Sequence, residues 1–158
     1  MLLISQRRRA TLAALPVMSA AMLAAGTPLA PTRAASARTI RLEETANLHL
    51  TSKRGFTLNE QGVASGTIRG RIYIHLHLLS NSKVTSEVNI YPHGGFLSGR
   101  GSAGYRVVGS YASFSGYLSV TRGTGSYEGA RASGLRFQGR IQRRNDTVAV
   151  KLSGSLSL

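Results

Sequence analysis

Residues 62–79 read GVASGTIRGRIYIHLHLL, a stretch in which apolar and polar residues alternate over most of its length. One face of the stretch carries Ala64, Ile68, Ile72, Ile74, Leu76 and Leu78. The opposite face carries Thr67, Arg69, Arg71, Tyr73, His75 and His77. Successive side chains of a β-strand point to opposite sides, so this period of two predicts a continuous strand with one buried face. Glycines at positions 62, 66 and 70 fall on the apolar face, where they let a strand bend sharply at a barrel corner.

The same alternation recurs after residue 38, and no useful window has apolar residues spaced three and four apart as in a helix. The first strand has its apolar residues on one face: Ile40, Leu42, Ala46, Leu48 and Leu50. Further apolar faces follow around Val88, Tyr105, Phe114, Phe137 and Val150, and residues 143–146 are predicted to form a hairpin turn. The sequence therefore predicts an all-β fold, a single closed antiparallel barrel of about eight strands.

The first 37 residues have the pattern of a signal peptide. Three arginines at positions 7–9 precede an uncharged, alanine-rich stretch over residues 10–32, and Ala-Ser-Ala at positions 35–37 supplies a cleavage site. We therefore expect export, with a cleavable signal segment at residues 1–37 and a mature domain at residues 38–158.

Two questions about this segment stay open. The run SQRRRATL at residues 5–12 resembles a twin-arginine export signal, although no phenylalanine follows the arginines. An uncleaved membrane anchor is the alternative to cleavage, because residues 10–32 are long enough to span a bilayer. Their Ala, Gly and Pro content makes them a poor anchor.

The positive charge of the chain is divided between the N-terminal segment and the predicted mature domain. The chain has 158 residues and a formal charge of +14, of which four arginines lie in the N-terminal segment and +10 remains on residues 38–158. No cysteine is present, which excludes disulfides, thiol nucleophiles and cysteine-bound zinc. What remains is a strongly basic domain of modest size.

A glycine-rich motif occupies residues 123–134, GTGSYEGARASG. Its structural positions are Gly123, Thr124, Gly125, Tyr127, Gly129, Ala130 and Gly134. We expect the first two glycines to permit a tight reversal, Tyr127 to cap the barrel end, and Ala130 and Gly134 to let the returning strand pack closely. The motif resembles the hallmark of the allene oxide cyclase barrel-like and dirigent proteins, and the resemblance covers most of residues 40–158.

The resemblance implies a closed antiparallel barrel, often oligomeric, whose apolar cavity binds a small organic molecule. Plant members of the family steer radical coupling or cyclise an epoxide-derived oxylipin. Their catalytic residues have no match at particular positions of this chain, so neither reaction is carried over.

A histidine pair is the first candidate site. His75 and His77 share one side of a strand, where two imidazoles are able to bind one metal ion. The His-x-His pattern of cupin metal sites also needs a glycine six residues earlier and a glutamate shortly after. Position 69 is arginine, and Glu87 lies ten residues beyond the second histidine. No metal site and no cofactor are therefore expected.

Other candidates are polar or acidic. Arg69, Arg71 and Tyr73 share the face of the histidines, where they either line an oligomer interface or ligand site or form a solvated outer face. Glu128, in the glycine-rich motif, and Tyr105 are the candidate catalytic residues. Carboxylates are otherwise too sparse for a paired acid–base mechanism.

A basic patch is predicted near the end of the chain. Arg136, Arg140, Arg143 and Arg144 gather on one polar face and its adjoining turn. Such a patch suits phosphates, anionic lipids or acidic polymers of a cell envelope. Nucleic acid is not an expected partner, because the protein is predicted to be exported and lacks the aromatics that stack on bases.

Three functional hypotheses follow. The first is an exported barrel that binds a small apolar or amphipathic organic molecule in its cavity. The second is a cofactor-free cyclase or isomerase, or a dirigent-type coupling guide, acting in the same cavity; an enzyme of this kind requires a buried acid or base. The third is a basic module that binds the cell envelope. A homo-oligomer is compatible with each hypothesis.

Overall fold

The computed structural model describes residues 38–158, and the segment predicted to be a signal peptide lies outside the described residues. Eight strands follow in order: β1 Thr39–Arg54, β2 Thr57–Gly66, β3 Gly70–Leu78, β4 Lys83–Pro92, β5 Gly95–Val108, β6 Tyr111–Gly125, β7 Ala132–Gln142 and β8 Thr147–Ser157. Each strand pairs antiparallel with the next, and β1 pairs with β8, which closes the barrel. The predicted all-β fold, a closed antiparallel barrel of about eight strands, is confirmed. Within residues 38–158 no helix is long and apolar enough to cross a membrane.

The stretch of residues 62–79 forms two strands, so the prediction of one continuous strand is wrong. β2 ends at Gly66, whose φ of +143° and close approach to the carbonyl oxygen of Glu43 exclude a side chain. The backbone N–H of Ile68 donates a 2.6 Å hydrogen bond to the Glu44 carboxylate, which holds the reversal. The side chain of Ile68 still packs into the core, so the apolar alternation continues through the turn and conceals it.

One end of the barrel is filled. The connections β2–β3, β4–β5 and β6–β7 meet there, and the largest core cluster lies beneath them: Leu42, Ile68, Leu97, Leu118, Val120, Ala130, Leu135 and Leu156. We call this the closed end. Removal of the apolar surface of these side chains from water is the main contribution to the stability of this half of the barrel.

The opposite end, which we call the open end, carries four hairpins. They connect β1 to β2 at residues 55–56, β3 to β4 at residues 79–82, β5 to β6 at residues 109–110, and β7 to β8 at residues 143–146. The last of these is the predicted hairpin turn.

The wall formed by β1, β2, β3 and β8 carries a second core cluster: Ala46, Leu48, Ala64, Ile72, Ile74 and Val148. Two of these inward-facing residues are alanines, and Gly62 lies between Glu60 and Ala64 on the same face of β2. Small residues on the inner wall do not reach the barrel axis, so the middle of the barrel is left unfilled.

Candidate functional site

The barrel encloses a cavity of about 500 Å³. Most of its lining is aliphatic or aromatic, including Leu48, Ile74, Val88, Phe114 and Phe137. The lining extends to Lys53, Leu78, Val107 and Arg143 at the strand ends beside the four hairpins. Because side chains fill the closed end, the cavity opens between the hairpins at the open end.

Glu60 is the most unusual group in this cavity. It lies on β2 between Leu50 of β1 and Ile74 of β3, and only 3% of its surface is exposed. Its Oε2 atom is buried and has no hydrogen-bond partner among residues 38–158. Burial raises the pKa of the Glu60 carboxyl to about 7, and the negative charge of Asp146 adds to the increase. Near neutral pH this carboxyl therefore exchanges between an acid that donates a hydrogen bond and a carboxylate that accepts one.

Glu44 is a second buried acid in the cavity wall, but its main contact is with the backbone of the β2–β3 turn. Its Oε1 atom accepts the 2.6 Å hydrogen bond from Ile68, while Oε2 has no partner in the described part of the chain. Burial raises the pKa of Glu44, and the nearby backbone N–H groups of Ile68 and Thr67 oppose the increase. Glu44 thus anchors the β2–β3 turn from inside the barrel.

The two acids do not form a pair. Glu44 lies opposite Gly66, whereas Glu60 lies opposite Leu50, six residues further along β1. At the rise of an extended strand this separates their positions by roughly 20 Å along the strand. Glu44 and Glu60 therefore cannot converge on one reacting group, and the other carboxylate that lines the open half of the cavity is that of Asp146.

Sequence reasoning missed both acids, although the pattern contains a signal for them. Glu44 falls between Leu42 and Ala46 on the apolar face of β1. Glu60 falls on the inner face of β2, two residues before the alternating stretch of residues 62–79. Burying a carboxylate on an apolar face costs free energy. An acid at such a position is therefore a candidate functional residue.

The predicted polar cluster lies on the outside of the barrel. Arg69, Arg71, His75 and His77 are exposed, and Tyr73 is half-buried. Tyr73 packs edge-on against Tyr91, with ring centroids 5.6 Å apart.

The two histidines contact side chains of the neighbouring strand β2. His75 Nδ1 lies 2.5 Å from Asn59 Oδ1, and His77 Nδ1 lies 3.3 Å from Thr57 Oγ1. The face does not reach the cavity. Among residues 38–158 no three His, Asp or Glu side chains converge as a group that could hold a metal ion.

The two candidate catalytic residues occupy opposite ends of the barrel. Tyr105 lines the cavity, and its hydroxyl donates a 2.9 Å hydrogen bond to the carbonyl of Ser80. This bond holds the β3–β4 hairpin beside the opening. Glu128 is exposed in the β6–β7 turn at the closed end, remote from the cavity lining.

The glycine-rich motif forms the end of β6 and the turn into β7. Gly125, Gly129 and Gly134 have positive φ, whereas Gly123 is required because a Cβ there would meet the carbonyl oxygen of Tyr127. Thr124 accepts a backbone hydrogen bond from Tyr127. Ala130 is fully buried in the closed-end cluster, and the ring of Tyr127 packs against that cluster.

No protein-family model matches the chain, and no curated protein sequence matches it. The resemblance to the allene oxide cyclase barrel-like and dirigent proteins therefore stays a prediction.

A change of Glu60 to glutamine is expected to stabilise the protein at alkaline pH. Between pH 4.5 and about 7 the folded protein holds a proton that an unfolded glutamate releases, so burial of Glu60 lowers the free energy of unfolding as pH rises. Glutamine removes this cost, and we expect a gain of about 2 kcal/mol at pH 8 and little change near pH 4.5.

Denaturant unfolding of both proteins across this pH range measures the difference. Glu87→Gln, on the exposed outer face of β4, removes the same charge and is the matched control. A constant difference between the native protein and Glu60→Gln at every pH would contradict the assignment.

Proposed function

We propose that this protein binds a small apolar or amphipathic organic molecule inside the barrel, with a polar group of the molecule placed against Glu60. The observation that carries the proposal is the cavity of about 500 Å³, which is lined mostly by apolar side chains and contains a buried carboxyl oxygen with no hydrogen-bond partner among residues 38–158. Cavities of this size and lining are typical of small-molecule sites.

The apolar lining supplies the binding energy in this proposal. Side chains such as Leu48, Ile74 and Val88 form a preformed wall, so a ligand loses apolar contact with water without having to order the protein. The barrel is closed by hydrogen bonds between all eight strands, which keeps the wall in place.

The polar specificity comes from Glu60. A ligand that offers a hydroxyl, carbonyl or amine near this carboxyl supplies the hydrogen bond that Oε2 lacks within the described part of the chain. An alkane of the same size leaves the oxygen unpaired. We therefore expect amphipathic molecules to bind more tightly than pure hydrocarbons of equal volume.

Titration with the neutral fluorophore N-phenylnaphthylamine tests this function. We expect fluorescence to rise and saturate at one probe per chain, with long-chain alcohols competing better than alkanes of equal length. An increase that never saturates, or one that alkanes and alcohols reverse equally, would contradict the proposed site.

A second candidate function is a cofactor-free isomerase or cyclase that uses Glu60 as its acid or base. The pKa of about 7 favours this reading, because a general acid–base group works best when its pKa is near the operating pH. The carboxyl lies in a mostly apolar cavity, where water does not solvate the carboxylate and weaken it as a base toward a C–H group.

Nitrobenzisoxazole is a suitable probe of such a base. The carboxylate takes the ring C–H proton, the N–O bond breaks, and a cyanophenolate forms with the electron pair on oxygen. The rate is expected to rise with pH through a midpoint of about 7 and to fall to background in Glu60→Gln. Equal rates in both proteins would eliminate the catalytic reading while leaving the binding function intact.

Export remains part of the proposal. The arginine-led, alanine-rich N-terminal pattern supports an exported binding protein. N-terminal sequencing of the protein recovered from outside the cytoplasm tests it, with a start at Arg38 as the expected result.

A further inference from the structure

The open end carries most of the exposed large apolar side chains. Among residues 38–158 eight such side chains are exposed, and five of them lie on the open-end hairpins: Phe56, Leu79, Val107, Val108 and Tyr111. Phe56 is 72% exposed and Val108 is 68% exposed. None of the five belongs to either core cluster. Three separate hairpins therefore present apolar tips around one opening.

The same end carries a ring of cations. Six exposed lysines and arginines lie on or beside the four hairpins: Lys53, Arg54, Lys83, Arg106, Arg143 and Arg144. Every hairpin contributes at least one of them. The acidic residue within these four connections is Asp146, which is half-buried. We call the five apolar tips and six cations together the rim.

The rim is continuous with the cavity. Lys53, Val107 and Arg143 belong to both, since they also line the cavity of about 500 Å³. An apolar ligand that enters the barrel therefore passes between the exposed tips.

We propose that the rim docks on an anionic lipid bilayer, with its apolar tips among the upper acyl chains and its cations on the lipid phosphates. Aliphatic and aromatic tips flanked by Arg and Lys are the composition that binds the interface of an anionic membrane. A protein partner needs a continuous complementary surface, whereas these tips are separated by the opening, and a fluid lipid surface conforms to them. Docking rests on the rim alone; exchange of ligand between bilayer and cavity also requires the proposed binding function.

Single tryptophans provide a site-specific test, because the chain contains none. Phe56→Trp places the reporter on the rim, and Tyr117→Trp places it on the outer face of β6 at a side chain of comparable exposure. Vesicles of about two parts phosphatidylcholine to one part phosphatidylglycerol are added to the full chain. We expect a blue shift and quenching by brominated acyl chains at position 56 and no response at position 117.

A matched charge test uses the Phe56→Trp background. Arg54→Gln with Arg144→Gln removes two rim cations, and Arg100→Gln with Arg136→Gln removes two cations from the outer wall. Vesicle affinity is expected to fall roughly tenfold or more for the rim pair, and by much less for the wall pair. Equal responses of the two tryptophans, or equal losses for the two arginine pairs, would overturn the proposal.

The other occupant of the rim would be a second copy of the chain. In that case the blue shift at position 56 appears without vesicles and depends on protein concentration, which also overturns the proposal. Failure of the cavity function has a different signature, since N-phenylnaphthylamine then does not saturate while docking at position 56 persists.

Discussion

Replacing Gly116 by alanine is expected to destabilise the barrel by about 3 kcal/mol or more, a large part of the total stability of a small domain. A Cβ at this position of β6 would overlap the carbonyl oxygen of Ser102 and lie 2.7 Å from Cα of Ala103. Both contacts are with backbone atoms of the paired strand β5, which cannot rotate away. The β5–β6 pairing would have to separate locally, and closure of the barrel depends on it.

The matched control is Gly104→Ala on β5, which lies opposite Ser115 of β6. The nearest atom to a Cβ there is the carbonyl oxygen of Ser82, at 3.8 Å. We expect a change within about 0.5 kcal/mol of zero. Guanidinium unfolding followed by circular dichroism measures both variants, and similar midpoints for the two would refute the close approach at Gly116.

Replacing Ala112 by tryptophan is expected to weaken the binding of N-phenylnaphthylamine roughly a hundredfold, about 2.8 kcal/mol. Ala112 is buried on β6 near the open end and lines the cavity. An indole at this position projects into the space that the probe must occupy or pass. Because no side chain of residues 38–158 fills that space, the added ring buries apolar surface without displacing the wall.

Ala149→Trp is the control for this variant, since Ala149 is exposed on the outer face of β8 and alternates with inward-facing Val148 and Val150. The control is expected to bind the probe as the native protein does. Tryptophan emission separates loss of folding from loss of space, because the indole at position 112 must emit further to the blue than the indole at position 149. A folded Ala112→Trp protein with native affinity would place the probe outside the cavity.

The barrel was predictable because alternation is a local property. Each strand of a closed barrel faces the core on one side. The alternation around residues such as Ile72 and Ile74 therefore identifies their strand even when the neighbouring strands are not known. The turn between β2 and β3 was not predictable from alternation, because Ile68 keeps its place in the core while the chain reverses. The hydrogen bond from Ile68 to Glu44 is a contact between residues 24 apart and leaves no local pattern.

The candidate site was predictable only in outline. An eight-stranded barrel implies an interior of limited size, but whether that interior is filled depends on which small residues face one another across it. Glu60 could have been identified as an acid on an inward face, whereas its elevated pKa depends on burial by β1 and β3 and on the charge of Asp146. The sequence suggested a site on the polar face of β3 because histidine, arginine and tyrosine side chains are common in binding sites. That face is the outer wall of the barrel.

The rim could not be predicted from the sequence either, because its residues lie in or beside loops. Phe56, Leu79 and Val108 occupy or adjoin turns, where no periodicity assigns a side chain to a face. Only the up-and-down topology brings these three hairpins to one end of the barrel. Their shared exposure is a property of the closed barrel as a whole.

Nuclear Overhauser contacts between bound N-phenylnaphthylamine and the methyl groups of the protein test the central claim most directly. If the barrel interior is the binding site, the aromatic protons of the probe must contact the methyls of Leu48, Ile74 and Val88, which line the cavity. Contacts restricted to Leu79 and Val108, which are exposed at the rim, would show that the probe binds the outside of the opening. That result would contradict the proposal that this protein holds a ligand inside its barrel.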